Sequence, residues 1–457
     1  MSAIQSINPA TGAVIQEYTP HTPSQIQESI ALAGRGFQAW SALPVEARCN
    51  HLRRLADVLD QHKEEYARLA TAEMGKPIRQ SRDELDKCAR TLRYYADEGA
   101  TMLRDKPIPS DTETRFITYR PLGVVLAIMP WNFPYWQAIR ALGPILLGGN
   151  AMLLKHASNV SGCALALQDA AREAGLPDGV FQTLLMSGGD AEKLIADPGI
   201  AAVTFTGSTG VGKKIAAAAG SVIKKQVLEL GGSDAYLILE DADLDLAAKV
   251  CTEARLTNTG QSCLAAKRFI VVESVAETFT AKFLQVMQGK TFSDPMEDNC
   301  ALGPIARHDL RDELHEQVKD SITQGARLLC GGEVPDNAGA YYPPTILADV
   351  QPGMRAFDEE MFGPVAAVIN AKDEADAIRL ANASIYGLGG AVFTQDVARG
   401  TRIAREELAC GNAFVNLQVH SDPRMPFGGI KESGYGRELA AFGLREFVNV
   451  KSVVAGK

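Results

Sequence analysis

Four short stretches of the sequence carry side chains able to do chemistry. NTGQSCLA (258–265) sets Cys263 among small and polar residues just beyond a helix-like segment, where a thiol can attack a carbonyl and form a covalent adduct. PWNFP (130–134) holds the Asn132 amide between two prolines, which fix the backbone and can aim the side chain as a donor to an oxyanion. Glu229 follows the apolar residues of VLELGG, where burial would raise its pKa towards the range a general base needs. FTGSTGVG (205–212) joins a strand-like run to a helix-like one. Its glycines admit close approach, and the helix start at Ser208 offers free amide donors and a positive dipole end to a phosphate.

Singly, each stretch has a plainer reading. A buried cysteine is usually an inert small core residue. PWNFP can be a stiff turn with Trp131 as filler, Glu229 a boundary carboxylate paired with a lysine such as Lys225, and FTGSTGVG a tight connection. Together they supply a thiol nucleophile, an oxyanion donor, a water-activating carboxylate and a dinucleotide cradle. That set suits oxidation of an aldehyde through a thioester.

The elements that must position these residues are legible in the hydrophobic pattern. From Pro23 to Ala100 apolar residues recur at three and four, as in Ile26, Ile30, Ala33 and Phe37, which predicts three amphipathic helices. VVLAIM (124–129), AMLLK (151–155), VFQTLL (180–185) and AVTF (202–205) then alternate with helical stretches, implying a parallel sheet with crossover helices. After QVLELGG (226–232) the rhythm resumes with AYLIL (235–239), a helix over 243–257, RFIVV (268–272) and a helix from Glu273. A second α/β domain follows, then a loop-rich tail containing 331–346 and 421–436. RDKPIPSDTETR (104–115) and RFITYR read as a hairpin that, with EFVNVKSVVA (446–455), could build an oligomer-forming sheet. The expected division is 1–102 with 118–230 for the dinucleotide, 231–430 for catalysis, and 103–117 with 431–457 for oligomerisation.

The 457 residues exceed what one core usually supports, which also predicts more than one domain. A formal charge of −9 argues against nucleic acid or an anionic membrane as partner. Residues 1–18 lack a basic stretch before an apolar run, and no segment reaches eighteen uninterrupted apolar residues, so a cytoplasmic location is expected. The eight cysteines are scattered without CxxC or Cys/His clustering, so neither disulfides nor a metal site is implied.

The order of PWNFP, FTGSTGVG, LELGG, NTGQSC, EEMFGP (359–364) and PFGGIKESGYGRE (426–438) resembles the aldehyde dehydrogenase superfamily over nearly the whole chain. The resemblance implies that fold: a Rossmann-type cofactor domain, an α/β catalytic domain and a small oligomerisation sheet, in a homodimer or homotetramer. It makes Cys263 the nucleophile, Asn132 and the Cys263 N–H the oxyanion donors, and Glu229 the base that activates water. NAD or NADP would contact Ile128, Pro130, Trp131 and Lys155, with Gly207 and Ser208 at the pyrophosphate. Glu360 and Phe362 would lie near the nicotinamide, and Gly212 and Leu230 complete the set.

Departures from the family pattern are informative. Many NAD-preferring members carry a glutamate three residues after the lysine; here Ser158 stands there, which predicts that NADP is tolerated and NAD still usable. A frequent lysine nine residues after the asparagine is Ala141, which puts a relay through that position to Glu438 in doubt. Arg140 lies where succinate-semialdehyde dehydrogenases carry an arginine for the distal carboxylate of the substrate, a role its forked guanidinium suits. The plainer alternative is a surface salt bridge. Their second arginine, six residues before the nucleophile, is Thr257 here, and Arg255 lies on another helical face. Ser421, His420 and Arg424 could supply the missing contact, and Trp136 would wall the tunnel. The expected substrate is a small ω-carboxylated aldehyde, succinate semialdehyde first. Two rivals are a CoA-acylating semialdehyde dehydrogenase, whose kind lacks the base at the Glu229 position, and a catalytically silent binding or structural protein, whose kind tends to lose the nucleophile.

Overall fold

The strand Val124–Met129 is buried at every position, as a strand covered by helices on both faces must be. In the computed structural model, which describes residues 3–456, it lies inside a six-stranded sheet. One side carries Ala151–His156 and then Phe181–Thr183; the other carries Ala202–Thr206, Lys225–Glu229 and, antiparallel at the edge, Gly434–Tyr435. The strand order therefore reverses between Val124–Met129 and Ala202–Thr206, and a crevice opens at such a switch point beyond the C-terminal strand ends. PWNFP leaves one of these strands and Gly207–Ser208 the other.

A seven-stranded sheet forms the second layer system. Its parallel centre runs Thr345–Ala348, Val365–Ala371, Arg268–Val272, Ala235–Ile238, Gly389–Phe393 and Asn412–Val415, with Arg327–Cys330 antiparallel at one edge. The tail read as loop-rich thus contains four parallel strands and the helices His308–Thr323, Glu374–Asn382 and Val397–Glu406. The turn residues that dominate 331–346 and 421–436 do lie in irregular segments, but they flank regular elements whose patterns are short.

The first hundred residues form four helices, Pro23–Ser41, Val45–Gln61, Lys63–Met74 and Ile78–Met102, where three were expected. The helix Lys63–Met74, separated from its predecessor by a break at His62 outside αR geometry, is the one not anticipated. Thr22 caps the first through a reciprocal box with Gln25. A hairpin of Ile4–Ile7 and Val14–Tyr18, not anticipated, precedes them.

Val448–Gly456 pairs antiparallel with Glu113–Pro121 over nine residues, and Lys106–Pro107 adds a short third strand. The segment 431–457 is not all part of this sheet, however. Gly434–Tyr435 joins the six-stranded sheet, and helix Ala440–Glu446 packs on helices Ile78–Met102 and Pro134–Leu147. Gly434 permits this approach: its φ is +109°, and a Cβ there would meet the Leu228 carbonyl at 2.0 Å. No helix among the described residues is long and apolar enough to cross a membrane.

Candidate active site

Cys263 follows an unusual turn. Helix Leu244–Leu256 ends, and Asn258, Thr259 and Gly260 adopt φ values of 53°, 55° and 76° in succession. Left-handed geometry costs a non-glycine residue about 1 to 3 kcal/mol unless its surroundings hold it there. Here they do. Asn258 Nδ2 donates to the carbonyls of Asn132 (2.7 Å) and Gln261 (3.1 Å), Gln80 accepts the Asn258 N–H, and Arg255 donates to the Gly260 carbonyl. A Cβ on Gly260 would strike the Gly363 carbonyl at 2.2 Å. The polar residues of NTGQ are therefore a buried latch: Asn258, Thr259 and Gln261 are inaccessible to solvent. Arg255, buried, is part of the same latch.

The latch presents Cys263 half-buried. Lys267 donates to the carbonyls of Ser262 (2.9 Å) and Cys263 (2.7 Å), drawing both to one side. The Cys263 N–H has no hydrogen-bond acceptor among the described residues, so it is free to stabilise an oxyanion. Burial pushes the thiol up to about 12, against the opposing pull of Arg140 and Lys267. It is a protonated thiol here, and it needs a base.

Asn132 is buried beside it. Its Nδ2 donates to the Gln261 carbonyl at 3.1 Å, leaving one amide proton uncommitted, while Oδ1 accepts from Gln137. Glu84, ion-paired with the buried Lys76, accepts the N–H groups of Tyr135 and Trp136 at 2.8 Å each. It thereby anchors the N-terminus of helix Pro134–Leu147 directly after PWNFP.

Glu229 is 3% exposed, and neither carboxylate oxygen has a hydrogen-bond partner among the described residues. Burial, and then the neighbouring Glu438, push its pKa well up. Lys225, the partner in the plainer reading, is paired with Glu446 instead. The Glu229 carboxylate rests against Gly428, whose missing Cβ would lie 2.7 Å from Oε1.

Arg140 departs from the plainer expectation of a surface salt bridge. It is 2% exposed, so it is no surface residue, and it forms an ion pair with Glu438 while its guanidinium lies 4.7 Å over the Phe427 ring. Glu438 is presented by the bridge between Phe427 and Glu438 that ties PFGG to GYGRE. Arg140 thus provides, one residue early, the cation that Ala141 lacks. Replacing Arg140 by methionine should strand two buried carboxylates and destabilise the fold by about 3 to 5 kcal/mol. Adding Glu438→Gln should recover part of that loss in denaturant titrations; strictly additive losses would rule out the coupling.

Two cavities meet at Cys263. One, of about 570 Å³, is lined among others by Phe133, Trp136, Arg140, Ser421 and Phe427. The other, of about 270 Å³, is lined by Pro130, Trp131, Asn132, Gly207, Ser208 and Leu230, with Glu360 and Phe362 across from them. Glu360 accepts the Gly232 N–H at 3.0 Å and lies 3.5 Å from Lys267. The second cavity fits a dinucleotide: Ser208 stands at the N-terminal boundary of the 13-residue helix Thr209–Ser221 without making a side-chain cap, leaving that helix start available to an anion. Ile128, Lys155, Ser158 and Gly212 are outside its lining. Ile128 and Lys155 are register partners at the ends of adjacent strands, and Ser158 is exposed at the next turn. Gly212 serves packing: a Cβ there would meet Leu230 at 2.4 Å.

The family model for the aldehyde dehydrogenase family matches residues 1–453. The chain belongs to that family. This aldehyde dehydrogenase is 48% identical to the succinate semialdehyde dehydrogenase [NAD(P)+] Sad of Escherichia coli, covering 98% of this chain and 97% of that one. It is 42% identical to succinate-semialdehyde dehydrogenase [NADP(+)] 1 of Mycobacterium tuberculosis, covering 98% and 99%. Among solved structures it is similar to the succinic semialdehyde dehydrogenase of Streptococcus pyogenes in complex with NADP+, with a TM-score of 0.97, 35% identity and full coverage of both chains.

Several residues around the site escaped the reading of the sequence. In this aldehyde dehydrogenase Lys267, Glu84, Lys76 and Lys87 are charged side chains in otherwise ordinary helix, helix-connection or strand-edge contexts, and only their distant partners reveal them. Lys267 and Arg268 are both buried at the start of a strand; two adjacent cations before an apolar run were the available signal. Of the residues offered as a second carboxylate contact, Ser421 and His420 line the larger cavity. Arg424 is exposed and paired with Asp422, which removes it from that role.

Proposed function

We propose that this aldehyde dehydrogenase oxidises succinate semialdehyde to succinate with NAD or NADP. The observation that carries the reading is the convergence of two cavities on Cys263, one with a helix N-terminus and the other with cationic side chains. The relatives named above support the substrate class and the use of both cofactors.

The thiol of Cys263 adds to the aldehyde carbon as its proton passes to Glu229, whose carboxylate is made more basic by burial and the neighbouring Glu438. The oxyanion is held by the Cys263 N–H and the free Asn132 amide proton. When bound, the nicotinamide supplies the acceptor for the hydride leaving that carbon. Glu229 swings from Gly428 to deprotonate water, which adds to the Cys263 thioester and expels the thiolate. Pro130, Trp131 and Phe362 form the walls against the cofactor, and Trp131 and Phe362 meet edge to face at 5.8 Å between ring centres. The presence of Glu229 favours hydrolysis over transfer to CoA, and reduction of cofactor at the same rate with and without CoA would bear this out.

The decisive measurement is kcat/KM across C2 to C6 aldehydes with and without a terminal carboxylate; no advantage for the carboxylated series would refute the substrate assignment. For the cofactor, Ser158→Glu should lower kcat/KM with NADP at least about tenfold relative to NAD, because a carboxylate repels a 2′-phosphate. An unchanged ratio would remove Ser158 from the cofactor site. The reading places the enzyme in the cytoplasm as a homodimer or homotetramer built through the sheet of Val448–Gly456 and Glu113–Pro121, where Val450 and Val454 are exposed.

A further inference from the structure

The larger cavity presents an anion site that does not depend on Arg140. Resting on the substrate reading above, we propose that Lys87, with Ser421, binds the distal carboxylate of the aldehyde and replaces the arginine missing at Thr257. Lys87 projects from helix Ile78–Met102, far in sequence from the nucleophile, into the cavity that Cys263 lines. Its Nζ donates to Ser421 Oγ at 2.6 Å and lies 4.2 Å over the Trp136 ring. No carboxylate among the described residues is ion-paired with it, so an ammonium with three donors has one committed to a side chain.

The other candidates for this task are occupied. Arg140 is ion-paired with Glu438, and Arg255 donates to the Gly260 carbonyl and lies outside the lining of this cavity. Thr257 accepts from Gln418 at 2.9 Å, so the place of the usual second arginine is closed by an uncharged pair. Burial, with the nearby Arg140, brings the Lys87 ammonium down to about 8. A carboxylate arriving there gains a charge-assisted hydrogen bond and an ion pair in a desolvated position, and the Ser421 hydroxyl can turn to donate to it. Trp136 then forms the wall between the two functional ends of a short chain.

The test compares succinate semialdehyde with butanal, which has the same number of carbons and no charge. Lys87→Met should reduce the ratio of their kcat/KM values about 10- to 100-fold, chiefly through KM for succinate semialdehyde, and Lys87→Arg should retain most of the ratio. Ser421→Ala should lower it in the same direction by less. In the wild-type enzyme, succinate should protect Lys87 from acetylation by acetic anhydride, read by peptide mass spectrometry, and butanamide should not. A ratio within twofold of wild type in Lys87→Met overturns the assignment. So does absence of protection by succinate, which decides the matter if Lys87→Met fails to fold. If the wild-type enzyme itself shows no preference for succinate semialdehyde over butanal, the substrate reading fails and the Lys87 assignment falls with it.

Discussion

Cys263→Ala is expected to lower kcat for aldehyde oxidation by at least about 10⁴-fold, because it deletes the atom that forms the covalent bond rather than one that assists it. The loss should come without loss of the fold. Cys263 is half-buried at the meeting of two cavities, and its turn is held by Asn258, Gln261 and Lys267, none of which bonds to the thiol. Stability should therefore change by less than about 1 kcal/mol. Cys300 provides the internal control, since it also lines the larger cavity but its thiol is engaged with the Leu302 carbonyl. Cys300→Ala should keep activity within a few-fold. Turnover above one per cent of wild type in purified Cys263→Ala would sink the assignment.

Glu229→Gln is expected to separate the two halves of the reaction. Cofactor reduction should still show an initial burst approaching one equivalent per site, then a steady-state rate lower by about 10² to 10⁴, since the thioester forms but water is not activated. The burst itself should slow, because Glu229 also receives the thiol proton. The pH dependence follows from the direction of the shift. Burial and Glu438 raise the Glu229 pKa, so the active carboxylate accumulates as pH climbs through that raised value. Wild-type kcat should rise along this limb, and the glutamine variant should lose it. Stability moves the opposite way: a group whose folded pKa is raised loses its stabilising contribution as pH increases through that pKa. At alkaline pH the glutamine variant should thus melt no lower than wild type. A steady-state rate equal to wild type, or an unaltered pH limb, would assign the base to another group.

The catalytic motifs were legible because each is short and locally determined. Pro130 and Pro134 bracket Asn132 whatever surrounds them, and the glycine turn after Ala202–Thr206 follows from a strand ending against a helix start. The helix over 243–257 was equally readable from periodicity, and the sheet suggested for 104–115, RFITYR and 446–455 forms between Glu113–Pro121 and Val448–Gly456. The second half of the larger sheet was not. Strands such as Thr345–Ala348 and Asn412–Val415 are four residues long, too short for their alternation to stand out among turn residues.

By itself the sequence determined the family of this aldehyde dehydrogenase and located its candidate nucleophile, oxyanion amide, base and phosphate cradle, in contiguous motifs whose backbone is set by neighbouring prolines, glycines and strand ends. Only the tertiary structure decided what each buried charge is for. Arg140, expected as a substrate ligand or a surface salt bridge, lines the larger cavity while ion-paired with the buried Glu438; Lys87, which nothing in the sequence singles out, stands over Trp136, bonded to a serine 334 residues away. The reason is physical: a charge removed from water takes its role from whichever group is left to pair with it, and chain folding, not sequence distance, chooses that group.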